Sequence, residues 1–293
     1  GYYHGYKGYR YITKPSKAVP YKNFDELIAI YEFDAQIKAI FYPFVMQIET
    51  ALKNYVLEVI VNAVKSNSFI EVYNNLLDNY KSFSISGKSF SDKKSKERAE
   101  EKYKRELKRR LELRNRVYKV QTDAFNNENK IAEHYLSKGA NIPIWAIFEL
   151  LSLGEFGHFV SCLNFKCRKS ISQKIGIRSS DDNDAMMTQQ LIYAIKDFRN
   201  AIAHNDVVFD TRFRTGNIGR QVKNAISNAT GVADITFETI TDYLVLVVYL
   251  LSLLKISKND IKRLISTFID CTEKLRKTIP INIYNQIIRT DNN

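Results

Sequence analysis

The chain is poor in the residues that make turns: its 293 residues include only 11 Gly and 5 Pro. A β-sandwich or barrel of this length would need a turn about every ten residues, so long helices with few connections fit better. Cysteine is as sparse. Cys162, Cys167 and Cys271 are odd in number and lack metal-ligand spacing, which argues against a disulfide scaffold and for free thiols in a reducing compartment. Long apolar runs are missing too. The greasiest, at 243–254, falls short of the roughly 20 residues that a membrane helix needs and reads as a buried core helix. No secretory signal is read at the start, and no residue pattern asks for a cofactor or a metal. The expected setting is the cytoplasm, with no membrane partner.

Positive charge, by contrast, is in excess. Hydrophobic residues make up 45% of the chain and charged residues 26%, the balance of a folded protein. The formal net charge of +12 points to a polyanionic partner, most simply nucleic acid, with solubility alone as the competing reading. The excess concentrates at 93–119, where thirteen Lys and Arg stand against five Glu. Glu100–Lys104, Glu101–Arg105 and Glu106–Arg110 are spaced i, i+4, as on a solvated helix. Lys94, Lys96, Arg98, Lys102, Arg105 and Arg109 of this segment, with Arg212 and Arg214 further on, are candidate RNA contacts. Residues 1–22 interleave Tyr2, Tyr3, Tyr6, Tyr9, Tyr11 and Tyr21 with Lys and Arg. Such rings can stack on bases, but packing of an irregular arm onto a helical body is the favoured reading.

From Phe24 the helical period takes over. Phe24, Leu27, Ile28, Tyr31 and Ala35 open an i, i+3, i+4, i+7 stripe, and Pro43 is expected to restart the helix, which then runs to about residue 65. Further helices are expected at 68–81, 93–119, 129–138, 144–153 (closed by Gly154), 155–164, 168–175, 185–204, 222–228, 237–256 and 259–278, with Pro280 stopping the last. Residues 82–92 read as a Ser-rich connector and 205–220 as an irregular loop. No strand pattern and no repeat is found, so the expected class is all-α. The expected organisation is an arm at 1–22, a helical region at 23–140 that includes 93–119, and a helical core at 141–293. Alternatively, 23–65 joins that core in one continuous domain.

One stretch stands apart: DFRNAIAHN at 197–205. At roughly 100° per residue, Leu191, Ile195, Phe198 and Ile202 share an apolar stripe, while Asn200 and His204 lie opposite with Tyr193 and Asp197. His204 therefore points away from the core. Asn200 is placed i, i+4 to orient its imidazole by a hydrogen bond. Arg199 lies on the flank, roughly 140° from His204, so the two converge only at a frayed helix end or across a two-fold axis between two copies. A histidine can take or give the ribose 2′-OH and leaving-group protons, and an arginine fork matches a phosphate. Together they suit RNA cleavage without a metal, ending in a 2′,3′-cyclic phosphate and a 5′-OH. As a bare spacing R-x4-H is weak; at a helix end in a basic all-α chain it gains weight.

Three blocks then resemble one family. FDELIAIYEFDAQIKAIFYPFVMQIETALKNYV (24–56) carries F-x6-Y-x-F-D and I-E-x-x-L-K. PIWAIFELLSLGEFGHF (143–159) carries P-x-W-x-x-F-E-x-x-S-x-G-x-F, and FRNAIAHND (198–206) carries R-N-x-x-A-H. In this order they resemble the AbiD/AbiF abortive-infection (Abi-like) family, within the HEPN ribonuclease superfamily. The resemblance implies a HEPN-type helical bundle with an N-terminal helical extension and a basic helical insertion. It implies a homodimer, Arg199, Asn200 and His204 as site residues, and an endoribonuclease toxin of antiphage defence or a toxin–antitoxin system. RNA would be its substrate, and a small non-coding RNA is a further expected partner, as antitoxin. Glu49 and Glu149 fall in the matched blocks, and a packing or motif-orienting role is favoured for each over direct chemistry. The alternatives are a non-catalytic RNA-binding or adaptor protein, or a toxin silenced by a partner nucleotidyltransferase.

Overall fold

In the computed structural model, residues 6–288 are described. Twelve α-helices occupy them: α1 Phe24–Val64, α2 Phe69–Asn75, α3 Lys93–Asn126, α4 Lys130–Leu136, α5 Ile144–Leu150, α6 Leu153–Cys162, α7 Phe165–Ile175, α8 Met187–Ala203, α9 Arg220–Thr230, α10 Ile240–Leu253, α11 Lys258–Thr278 and α12 Ile281–Ile287. There is no strand among the described residues, only an isolated bridge between Tyr11 and Ala18. The protein is all-α. It divides into two compact units, Gly1–Thr50 with Ala194–Asn293, and Ala51–Tyr193.

Helix boundaries follow local chemistry. Pro43 does not restart α1, which runs through it for 41 residues. A proline there removes one hydrogen bond, but Phe33, Ile37, Phe41, Val45 and Ile48 are buried on both sides of it in one unbroken phase. Between α5 and α6 the chain breaks at Leu151–Ser152, not at Gly154. Ser152 and Glu155 form a capping box, the Ser152 N–H donating to Glu155 Oε2 at 2.8 Å. Gly154 therefore sits in the first turn of α6. The expected helix at 68–81 resolves into α2 and a 3₁₀ turn at Asn79–Phe83. Beyond Pro280, α12 adds a turn of helix that buries Ile283, Tyr284 and Ile287.

In the second unit, Asp92 caps α3 by accepting the Ser95 N–H at 2.7 Å. This helix buries only Leu113, Val117 and Val120 and is otherwise highly charged. The i, i+4 ion pairs along it are Lys93–Glu97, Lys96–Glu100 and Lys108–Glu112 at 3.6–3.9 Å, not those expected from the spacing. Arg110 turns inward to donate to the Leu77 and Tyr73 carbonyls, so Glu106 pairs with Arg109 instead.

The first unit is built around rings. Phe198 of α8 is fully buried, its ring centroid 5.1 Å from Phe41, 5.4 Å from Phe213 and 5.0 Å from Tyr243. This pins α8 one residue before Arg199. The loop at 205–219, irregular as expected, hangs on three carboxylates. Asp34, fully buried in α1, accepts from the Val208 and Phe209 N–H groups at 2.7 and 2.6 Å and from the Tyr9 hydroxyl at 2.7 Å, and pairs with Lys38 at 2.9 Å. Asp210 takes the Arg212 fork at 2.7 Å and the Thr13 N–H at 2.6 Å. Asp197 accepts from the Thr215 N–H and hydroxyl at 2.8 and 2.7 Å.

The N-terminal arm packs as expected. Tyr6 lies against Phe24 and Tyr31, Tyr9 stacks on Phe209 and is buried, and Tyr21 donates to the Tyr9 carbonyl. Burial, then the Asp34 charge and hydrogen bond, push the Tyr9 phenol upward, so it stays a donor. Tyr2 and Tyr3 lie outside the described residues.

Removing the Asp34 carboxylate leaves two backbone N–H groups and a phenol without their acceptor, and an ammonium without its counter-ion. Asp34→Ala should cost roughly 3–5 kcal/mol in a urea titration; a loss below about 1 kcal/mol would contradict this role. Burial raises the Asp197 carboxyl, but Thr215 and Lys196 outweigh it and hold it below the usual range. Its contribution is present above the unfolded value of about 3.9 and lost as pH falls through the folded value. Between about pH 5 and about pH 2 the melting temperature should fall more steeply in the native protein than in Asp197→Asn; parallel curves would refute the anchor.

Candidate active site

Helix α8 ends in a hydrogen-bonded cap, not a frayed turn. Asn205 takes a positive φ of 58°, the Asp206 N–H donates to the Ala201 carbonyl at 2.8 Å, and the Asn205 N–H to that of Ile202 at 3.3 Å. This is the Schellman arrangement, with Asn in the left-handed position usually taken by Gly. His204 is the capping residue. Its side chain is exposed and makes no hydrogen bond among the described residues.

Arg199 is half-buried and committed on one side. Its Nε donates to Glu49 Oε2 of α1 at 2.5 Å, and Nη1 to Asn200 Oδ1 at 3.3 Å. Glu49 is itself buried. It thus orients the motif arginine, as one of its two readings from sequence had it. A carboxylate on Nε leaves Nη2 and the second Nη1 hydrogen available to a phosphate. The Asn200 amide oxygen faces the Arg199 cation, where a bond to His204 was expected from the i, i+4 spacing. Arg199 and His204 are not joined by any hydrogen bond, in keeping with their divergence around a regular helix.

On the Asn200 side lies a cleft of about 520 Å³, lined by Asp197, Asn200, Asp206, Tyr11, Arg212 and Thr215 among others. Asp197, Asn200 and His204 are one turn apart along one helix face, and the cleft is lined by the first two of them. Sequence reasoning put Asp197 on the His204 face but missed Asp206 and Tyr11 as cleft residues. The available signal was the Asp two positions past the motif histidine.

The expected RNA-contact residues divide. Arg212 lines the cleft, yet its guanidinium is spent on Asp210 and on the Gly8 and Tyr11 carbonyls at 2.6 Å. Arg214 donates to the Phe237 carbonyl at 2.9 Å. On α3, Arg109 donates to Ser161 Oγ at 2.6 Å, and Lys102 lies 4.3 Å from the Phe83 ring centroid. Arg105 and Lys96 are exposed, each with one distant Glu. Lys94 and Arg98 are exposed with no partner among the described residues. Glu149 is exposed on α5.

The three cysteines are buried free thiols, pushed by burial to about 11 for Cys162 and Cys271 and about 12 for Cys167, far from a ready nucleophile. Among the described residues no group of three or more His, Cys, Asp or Glu could hold a metal ion, and no helix is long and apolar enough to cross a membrane.

No curated protein and no solved structure matches the chain. The family model described as Abi-like protein matches residues 1–210. That span holds the F-D aspartate Asp34, the Glu49–Arg199 pair and the capped His204, and covers well over half of the sequence. The chain belongs to the Abi-like protein family.

Proposed function

We propose that this protein is a HEPN-type endoribonuclease toxin of abortive infection, cutting RNA without a metal. The observation that carries the reading is the Arg199–Glu49 pair on the same helix as a solvent-facing His204. The arginine is held by Glu49 with Nη2 and one Nη1 hydrogen uncommitted, and the imidazole makes no hydrogen bond among the described residues. In the reaction the ribose 2′-oxygen attacks the adjacent phosphorus while one imidazole takes its proton. The P–O5′ bond breaks, a protonated imidazole supplies the proton to O5′, and the products are a 2′,3′-cyclic phosphate and a 5′-OH. The Arg199 fork stabilises the charge that grows on the non-bridging oxygens. DNA, lacking the 2′-OH, is not cut.

Arg199 and His204 point roughly 140° apart on a helix that stays regular to its cap. A second copy facing the first across a two-fold axis would bring the arginine of one beside the histidine of the other and supply both acid and base. The exposed cations of α3 suit RNA in general, and an inhibitory RNA is a further partner on this reading.

Purified protein should cleave single-stranded RNA in EDTA, leaving cyclic-phosphate ends. His204→Ala and Arg199→Ala should each lower the rate by about a hundredfold or more. Glu49→Gln, which keeps the shape but loosens the arginine, should lose about tenfold. Cleavage that survives both motif substitutions would sink the enzyme reading. Salt-sensitive RNA binding with no product in any variant would favour an adaptor.

A further inference from the structure

The cleft beside the motif has a chemical signature that a phosphate site would not have. Two carboxylates line it, Asp197 and Asp206, and its one lining cation is already committed: Arg212 is clamped on Asp210 and on the arm carbonyls. A phosphate would be repelled there. A neutral group that offers N–H donors would be attracted.

The unused hydrogen-bonding groups narrow the choice. Asp197 is taken by Thr215 and Lys196. The Asp206 carboxylate has no partner among the described residues, while its backbone is fixed by the bond from its N–H to Ala201 and by Lys38 on its carbonyl. Asn200 gives its oxygen to Arg199, and since a guanidinium only donates, the amide NH₂ is the group left over. The cleft therefore presents a free carboxylate and a free amide donor. Among the four bases only guanine sets two adjacent N–H donors, N1–H and the 2-amino group, next to an acceptor, O6. Adenine, cytosine and uracil each turn a lone pair toward the carboxylate on that edge.

The third wall is aromatic. Tyr11 is half-buried and lines the cleft, held by the Arg212 guanidinium 4.3 Å from its ring centroid. A neighbouring groove of about 820 Å³ shares Gly8 and Tyr11 with the cleft and carries Lys7 and Arg10, cations of a kind that suits the phosphates of a continuing strand.

We propose that this cleft is a guanine-binding subsite for the RNA strand. Tyr11 stacks on the base, Asp206 accepts from N1–H and the 2-amino group, and Asn200 donates to O6. The assignment rests on the endoribonuclease reading only for its position next to the scissile phosphate. It makes the protein prefer a guanosine beside the cut.

The test uses fluorescein-labelled 2′-O-methyl tetranucleotides, identical except for one base, in fluorescence anisotropy with the full chain. These probes cannot be cleaved, so binding is read apart from catalysis. The guanine probe should bind about tenfold tighter than the other three. Asp206→Asn, at an exposed position, should abolish that preference by weakening the guanine probe, with no loss of affinity for the other three. Tyr11→Leu should weaken all four probes about tenfold and Tyr11→Phe none of them, with melting curves confirming that each variant folds. Equal binding of the four probes, or a guanine preference untouched by Asp206→Asn, overturns the subsite even if RNA is cut with His204 dependence. Guanine-selective binding that needs Asp206, in a protein that cuts no RNA, would leave the subsite standing and remove the nuclease.

Discussion

A single buried carboxylate sets the geometry around the motif. Asp34 has no solvent access, so its charge would be prohibitively costly unless it were fully solvated by protein. The chain supplies that solvation from three places: a phenol of the N-terminal arm, two successive backbone N–H groups after the motif, and the ammonium one turn along its own helix. Each donor needs the others in place. The arm and the loop at 205–219 are thereby tied to α1 by the same group, and the cleft walls that they carry, Gly8 and Tyr11 from one and Asp206 and Val207 from the other, are set together.

The Arg199–Glu49 pair is the second constraint, and it works in the opposite direction. Pairing a cation with a carboxylate weakens its long-range pull on phosphate. It also fixes the fork, so that on the proposed reading little side-chain entropy remains to be lost when the transition state forms. For a group that must recognise charge developing at one place, orientation is worth more than bare attraction. Non-specific attraction is available elsewhere in the chain, in the surplus cations of α3.

The fold was legible in the sequence wherever burial kept a helical phase, and illegible where side chains negotiated the ends. The buried face of α8 at Leu191, Ile195, Phe198 and Ile202 was readable from spacing alone. The opening stripe of α1 was not: Phe24, Tyr31 and Ala35 are exposed, and the buried phase runs through Leu27, Ile30, Phe33 and Ile37. The passage through Pro43 was not, because one lost hydrogen bond is set against core contacts that a local reading does not count. The break before α6 was in principle visible as Ser152-x-x-Glu155, but Gly154 is the louder local signal. At the site, His204 on the polar face and Arg199 on the flank followed from helical projection. Asn200 turned to Arg199 because a hydrogen bond from a neighbouring guanidinium cation is charge-assisted. The use of Arg212 as a clamp could not be read from sequence, since it depends on Asp210 and on arm carbonyls some two hundred residues away.

That clamp bears on how a strongly basic protein could select among RNAs. Cations bind any sequence, because every nucleotide carries the same phosphate. If Arg212 were free, the cleft would be one more phosphate site and would contribute affinity without discrimination. Neutralised by Asp210 and laid over Tyr11, it instead stiffens an aromatic wall, and the charge left in the cleft belongs to Asp206, which a phosphate avoids and a base edge can satisfy. On the proposed reading, affinity and selectivity then reside in different parts of the chain: exposed cations hold any RNA, and a small acidic cleft at Asn200 and Asp206 decides which nucleotide is presented to the motif.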